Sequence, residues 1–327
     1  MATETETIPF EETEFAGRSR SNAHHAFIFA GLAVLLLAAP FLVYPVFAMK
    51  VLCFALFASA FNLLLGYGGL LSFGHAAYFG MASYVSAHAA KVWGLNPELA
   101  ILSGVGVAIV LGAVFGAIAI RRQGIYFAMV TLAFAQMVFF FALQAHFTGG
   151  EDGIQAVPRG ALFGFIYLRD DRTLYYIVAA VFFLALLFIY RVIHSPFGQI
   201  LKAIRDNEPR AVSLGYRANH YKLIVFVLSA GLSGLAGAMK AIVFQLASLT
   251  DVHWAMSGEV VLMTLIGGMG TVFGPMVGAA IVVTMQNYLA EFGAWVTIIQ
   301  GTIFVVCVLL FREGIVGLIA RIVRRPL

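Results

Sequence analysis

Apolar runs close to 20 residues long, separated by short polar or glycine-rich stretches, recur from about residue 26 to residue 312. An α-helix needs about that length to cross roughly 30 Å of hydrocarbon. No long alternation of apolar and polar positions occurs, which argues against a transmembrane barrel. The pattern predicts an all-α, polytopic membrane helical bundle of about ten segments: 27–47, 51–67, 75–90, 98–120, 125–145, 173–193, 222–246, 257–270, 274–291 and 294–312. Glycine interrupts it twice, in GYGGLLSFGHAAYFG (66–80) and in GGMGTVFGPMVGA (267–279). The flanking segments are short for full spans, and Ser72 and Gly274–Pro275 suit helix starts. Short broken helices that end and restart within or near the membrane are therefore expected. Any one of these glycines also fits simple close packing of helices. The two breaks do not fall at matching positions of the two halves, so no clean internal repeat is evident.

Composition agrees with a membrane protein. Hydrophobic residues make up 61% and charged residues 11%, where a soluble domain carries about one quarter charged. Lys and Arg set the orientation, because they collect on the cytoplasmic side. With both termini inside, fourteen of the twenty basic residues fall on the inner side, and only Lys50, Lys91, Arg159, Arg169, Arg172 and Lys240 fall outside. The loop 195–221 is then cytoplasmic and the loop 146–172 periplasmic. Residues 1–25, with five Glu in the first fifteen positions, read as an acidic, disordered cytoplasmic tail. They lack the basic start of a secretory signal. Residues 26–313 form the transmembrane domain and 314–327 a basic cytoplasmic tail.

Candidate chemistry is sparse. Cys53 and Cys307 lie in apolar runs without metal-ligand spacing, no HExxH occurs, and no GxxxxGK[ST] phosphate loop is present. No nucleophile pairs with a base, so an enzyme is not expected, nor are a cofactor, a metal or a nucleic-acid partner. Glu98, Glu259, Glu291 and Lys240 sit near the outer ends of spans, where water or snorkelling can satisfy them. That scarcity of embedded carboxylates weighs against the alternative of an ion-coupled secondary transporter. The candidates for a translocation path are Asn62, Gly66, Ser72, Gly74, His75, Thr131, Gln136, Gly267 and Gly270. Each polar member also fits a helix–helix hydrogen bond, and His75 a capping or packing role.

The stretch SPFGQILKAIRDNEPRAVSLGYRANHYK (195–222) is the richest in structure. Ser195 and Pro196 read as an N-cap followed by proline in the first turn. Phe197, Ile200, Leu201 and Ile204 form an apolar stripe at helical spacing. Asn207 can cap a second short helix, with Glu208 at its positive end and Gly215 as its stop. Two capped helices with one apolar face suit a docking element; an amphipathic hairpin lying on lipid headgroups fits the same pattern.

The segments 62–84, 124–137, 148–154, 195–239 and 267–279 resemble, in order, the signature blocks of the LivM-type branched-chain amino-acid permease family of ABC importers. The 195–221 segment resembles that family's cytoplasmic coupling loop, with Glu208, Ala211 and Gly215 at its fixed points. Pro209 and Arg210 depart from the commoner residues, and the acidic tail lies outside the resemblance. The resemblance implies a multi-pass permease of the bacterial inner membrane. Its partners would be a sister permease, two cytoplasmic ATPase subunits, a periplasmic substrate-binding protein and the lipid bilayer. Arg205, Asp206, Asn207, Glu208, Arg210, Ala211 and Gly215 would then be the ATPase-coupling residues. The substrate would be a branched-chain amino acid, or urea, a short amide or an aromatic acid.

Overall fold

The computed structural model describes residues 29–162, 164, 166–289, 298–299, 301–302, 305 and 314–316. The acidic tail 1–25, Glu291, Cys307, most of the expected tenth segment and most of the 314–327 tail lie outside the described residues. The chain divides into two units, the first ending at Tyr44 and the second beginning at Pro45. The first contains α1 (Phe29–Leu42), a short apolar helix.

The expected first span, 27–47, is therefore not one element. Val43 N–H closes the last turn of α1 on the Ala39 carbonyl, and Tyr44 precedes a proline, which disfavours helical backbone. Pro45 then opens α2 (Pro45–Asn62), which continues as a π-helical turn, Leu63–Tyr67. The segment read as a short 51–67 helix is thus a 23-residue one, about 35 Å long. Lys50 does not interrupt it, because one lysine leaves the backbone ladder intact.

The second unit continues with α3 (His75–Lys91), α4 (Pro97–Ala119), α5 (Ile125–Gln144) and α6 (Asp171–His194). Then come α7 (Pro196–Asp206), α8 (Glu208–Ser213), α9 (Ala218–Phe244), α10 (Leu249–Val252), α11 (Trp254–Gly267) and α12 (Gly274–Leu289). Among the described residues, five helices are long and apolar enough to cross a membrane: Pro45–Tyr67, Pro97–Ala119, Ile125–Gln144, Asp171–His194 and Ala218–Phe244. The protein is a mostly helical, multi-pass integral membrane protein.

At the centre α9 packs against α3, α4 and α2. Small residues permit the close approach: Gly104 lies on the Ala82 carbonyl, Gly112 on Ala230, and Gly237 on the backbone of Phe79. In lipid, where apolar burial gives no drive for helices to associate, such backbone proximity supplies the packing energy.

Among the described residues, four two-residue strands qualify the all-α expectation. β1 (Ile154–Gln155) pairs with β4 (Leu246–Ala247), and β2 (Ala161–Leu162) pairs with β3 (Ile166–Tyr167). The first pair fixes the 146–172 segment to the C-terminal end of α9. The α7–α8 hairpin meets the N-terminal end of the same helix, about 40 Å away for 27 residues.

Candidate functional site

The α7–α8 hairpin is built by its caps. Ser195 Oγ accepts the Gly198 amide (3.3 Å), Pro196 occupies the first turn, and Asn207 Oδ1 accepts the Arg210 amide (3.1 Å). Its apolar face is covered by its own chain. Ile204, Ala211 and Ala218 are buried around one centre flanked by Ile200 and Tyr221, Leu201 is buried as well, and Phe197 stacks on Tyr221 at 5.7 Å. The stripe expected to dock outward thus seats the hairpin on the bundle. What faces outward is α8 and the turn after it: Arg210, Val212, Ser213, Leu214 (70% exposed), Tyr216 and Arg217.

Two polar ties hold the hairpin down. Glu208 pairs with the buried ammonium of Lys222 at 2.7 Å, and its other oxygen accepts the Gln123 amide at 3.1 Å. Arg205 donates through Nη1 to the Gly66 carbonyl (2.5 Å), while its Nε and Nη2 hold Asp206 Oδ1 (2.9 and 2.8 Å). Of the expected coupling residues, Arg205, Asp206, Asn207, Glu208 and Ala211 therefore engage the chain itself. Arg210 is exposed, and Gly215 stands at the turn. Gly215 has φ of +91°, a left-handed conformation that side chains resist, although open space surrounds it. Gly215→Val is expected to strain the turn by about 1–3 kcal/mol. The check is faster amide exchange confined to residues 208–217, with expression unchanged.

The Gly66 carbonyl lies where the end of α2 meets the second helix break. Asn62 on α2 accepts the Gly270 amide through Oδ1 (2.9 Å) and donates through Nδ2 to the Thr271 carbonyl (2.8 Å). Gly66 lies so close that a Cβ there would stand 2.6 Å from the Gly270 nitrogen. The end of α2, just before the first break (68–74), therefore meets the second break, 268–273, beneath the hairpin, and Arg205 bonds to that meeting point.

The remaining path candidates form separate knots. Thr131 Oγ1 accepts the Phe73 amide (3.1 Å) and donates to the Ala128 carbonyl, and Ser72 Oγ accepts the Gly74 amide (3.2 Å). His75 is fully buried among Phe61, Tyr78 and Phe226. Its Nε2 donates to Ser229 Oγ (2.8 Å), since that hydroxyl gives its own proton to the Ala60 carbonyl (2.6 Å). Gly267 packs against the Gly274 and Gly278 backbone. Gln136 is half-buried on α5 and makes no hydrogen bond to these groups.

At the far end of α9 the structure corrects the reading of Lys240. It does not reach for water: it is 9% exposed and holds both oxygens of Asp251, 2% exposed, at 2.5 and 2.6 Å. Asp251 is delivered by a capping box, with Ser248 N–H on its Oδ2 (3.3 Å). The Ser248-to-Asp251 spacing is a legible capping signal, but its partner across the chain is not. Lys50, Glu259 and Gln286 line the same cleft.

A bundle of membrane-length helices, the end of one tied both to a neighbouring break and to the α7–α8 hairpin, defines a polytopic helical membrane protein. Residues 43–309 match the family model of the branched-chain amino acid transport system permease component, and the chain belongs to that family. It is 27% identical over 278 residues to the high-affinity branched-chain amino acid transport system permease protein LivM of Salmonella typhimurium, covering 78% of this chain and 65% of that one. The LivM of Escherichia coli is 26% identical over 277 residues, with the same coverage. A ribose import permease protein, RbsC of Bacillus subtilis, is 30% identical over 139 residues, 40% of this chain and 43% of that protein. The chain thus spans 65% of the length of the two LivM relatives. No solved structure matches it.

Proposed function

We propose that the chain is the transmembrane permease subunit of a bacterial ABC importer, forming with a sister permease the path for a branched-chain amino acid or related small polar solute. Two cytoplasmic ATPase subunits dock on the 195–221 loop, and a periplasmic binding protein delivers the solute at the opposite end. The observation that carries this reading is the Arg205–Gly66 bond, which ties a docking hairpin to the point where the end of α2 meets the second break. Closure of the ATPase dimer moves the hairpin, and Arg205 and Glu208 pass that motion to α2, α9 and the 268–273 break. Nucleotide shifts the balance of outward- and inward-open states only through its different affinity for them. The path runs along the breaks at Gly66–Gly74 and Gly267–Gly274, whose backbone amides and carbonyls meet a small polar solute without a buried charge.

The rival reading, an ion-coupled secondary transporter, gains one buried carboxylate in Asp251. Lys240 already neutralises it, so it offers no open proton or ion site. The docking surface is tested by co-purification. Leu214→Asp and Arg210→Glu lie on the exposed face and are expected to reduce ATPase co-purification at least about tenfold, a change of 1.4 kcal/mol or more. Full recovery of the ATPase with both variants would sink the docking role.

In this topology both termini are cytoplasmic, the bundle has about ten segments, and residues 146–172 are periplasmic. Single cysteines introduced by Ser213→Cys or Gln155→Cys, in a variant lacking Cys53 and Cys307, test it in intact cells. A membrane-impermeant thiol reagent is expected to label position 155 and spare position 213. The reverse pattern would invert the bundle.

A further inference from the structure

At the end of α9 away from the hairpin, a pocket of about 680 Å³ opens between the β2–β3 pair and Gln245. Its wall is fixed in place. Gln245, the left-handed cap of α9, makes two hydrogen bonds with Val157, each 3.1 Å. Arg159 donates through Nη1 to Asp171 (2.6 Å) and through Nη2 to the Val243 carbonyl near the end of α9 (3.1 Å). Arg169 lines the same pocket just beyond β3. It is exposed and makes no ion pair or hydrogen bond among the described residues. Among the described residues no carboxylate lines the pocket: Asp171 is held by Arg159, and Asp170 caps α6 at the Thr173 amide. A preformed site is left with one unanswered positive charge.

The surroundings are those of a membrane interface. Gly160, in the pocket wall, rests on Pro97, the first residue of α4, where a Cβ would stand 3.1 Å from the ring. From there α4 runs as a membrane-length helix with Leu99, Leu102, Ile109 and Val110 exposed. Tyr167 in the pocket is 70% exposed. Trp93 is exposed at the same end, two residues past the Lys91 bond to the Gln155 carbonyl. Tyr and Trp are enriched at headgroup level, where one edge of the ring is wet and the rest apolar. We infer that this pocket binds the phosphodiester of an anionic phospholipid, held by Arg169 beside the fixed Arg159, with its acyl chains along α4. The planar guanidinium fork matches phosphate oxygens two at a time. A lipid of net negative charge answers Arg169, whereas a zwitterionic headgroup carries a cation toward two guanidinium groups. The chains bury apolar surface on α4 that a free phosphate cannot cover.

The test is native mass spectrometry of this chain with its partner subunits, stripped of lipid in detergent and titrated with phosphatidylglycerol or phosphatidylcholine. The first phosphatidylglycerol is expected to bind at least about tenfold more tightly than phosphatidylcholine. Arg169→Gln is expected to weaken it by about 10- to 100-fold, the range for a hydrogen bond from a charged group. Arg169→Lys keeps the charge without the fork and falls between. Phosphatidylcholine stays within about twofold of wild type in both variants. Arg121→Gln, at the opposite end of α4, leaves the first phosphatidylglycerol unchanged. Arg169 is exposed and unpaired, so its variants assemble. Unchanged phosphatidylglycerol binding in Arg169→Gln, or an equal loss in Arg121→Gln, would overturn the site. Glycerophosphoglycerol, the same headgroup without chains, separates the two sources of phosphate. It is expected not to displace the lipid at equal concentration; displacement makes this a soluble-anion pocket and overturns the lipid assignment. Association of the binding protein is measured on the same preparations and is expected to be unchanged. A loss there in Arg169→Gln, with phosphatidylglycerol binding intact, makes the pocket a protein-docking surface instead.

Discussion

Arg205→Ala is expected to uncouple the transporter: ATP hydrolysis continues while solute uptake falls at least about tenfold. Arg205 is not on the outward face of α8, so its loss spares the surface proposed to dock an ATPase. It removes the bond from the hairpin to the Gly66 carbonyl. A hydrogen bond from a charged donor contributes about 1.5–3 kcal/mol, a factor of roughly 10 to 150. The Glu208–Lys222 pair and the Ile204–Ala211–Ala218 cluster still hold the hairpin to α9, so assembly survives. Arg205→Lys keeps the charge but loses the planar fork that reaches Gly66 and Asp206 together, and is expected to fall between. Hydrolysis and uptake measured on one proteoliposome preparation distinguish uncoupling from loss of docking, in which both fall together.

Gly66→Val is expected to abolish uptake. Any side chain at 66 meets the Gly270 nitrogen at 2.6 Å and its Cα at 2.9 Å, and displaces the Asn62 carboxamide that binds the second break. These are backbone atoms that cannot rotate away, so the end of α2 and the second break must part. Overpacking of this kind costs about 1–3 kcal/mol, and two hydrogen bonds from Asn62 go with it. Gly270→Val reaches the same junction from the other side, through strain at φ of +77°. The check is membrane insertion and ATPase co-purification near wild type alongside lost uptake. Normal uptake in both variants would return these glycines to simple packing.

Much of the architecture was legible because span length and glycine punctuation are local signals. Gly66–Gly80 and Gly267–Ala279 stand out in the sequence as breaks, and α3 and α12 do begin at His75 and Gly274. The hairpin was legible too, since Ser195, Pro196, Asn207 and Gly215 act within four residues of themselves. Pairings across the bundle were not. Asn62 meets Gly270 from 208 positions away, and nothing in an apolar run marks which polar residue faces which break. A span that is apolar all round also hides which face it buries. The outward or inward sense of the α7 stripe was open for the same reason: periodicity says that Leu201 and Ile204 are buried, not what buries them. Lys240 misled because a lysine near a span end can snorkel. Only the fold reveals that Asp251 reaches back to it.

The energy source tests the central claim most directly. The complex of this chain with its sister permease and ATPase subunits is reconstituted in proteoliposomes, and uptake of L-leucine with the binding protein outside is followed. Uptake is expected to require ATP at the face bearing the 195–221 hairpin, and to vanish when the ATPase subunits are left out, whatever proton or sodium gradient is imposed. Gradient-driven uptake by vesicles lacking the ATPase would contradict it and establish a secondary transporter instead.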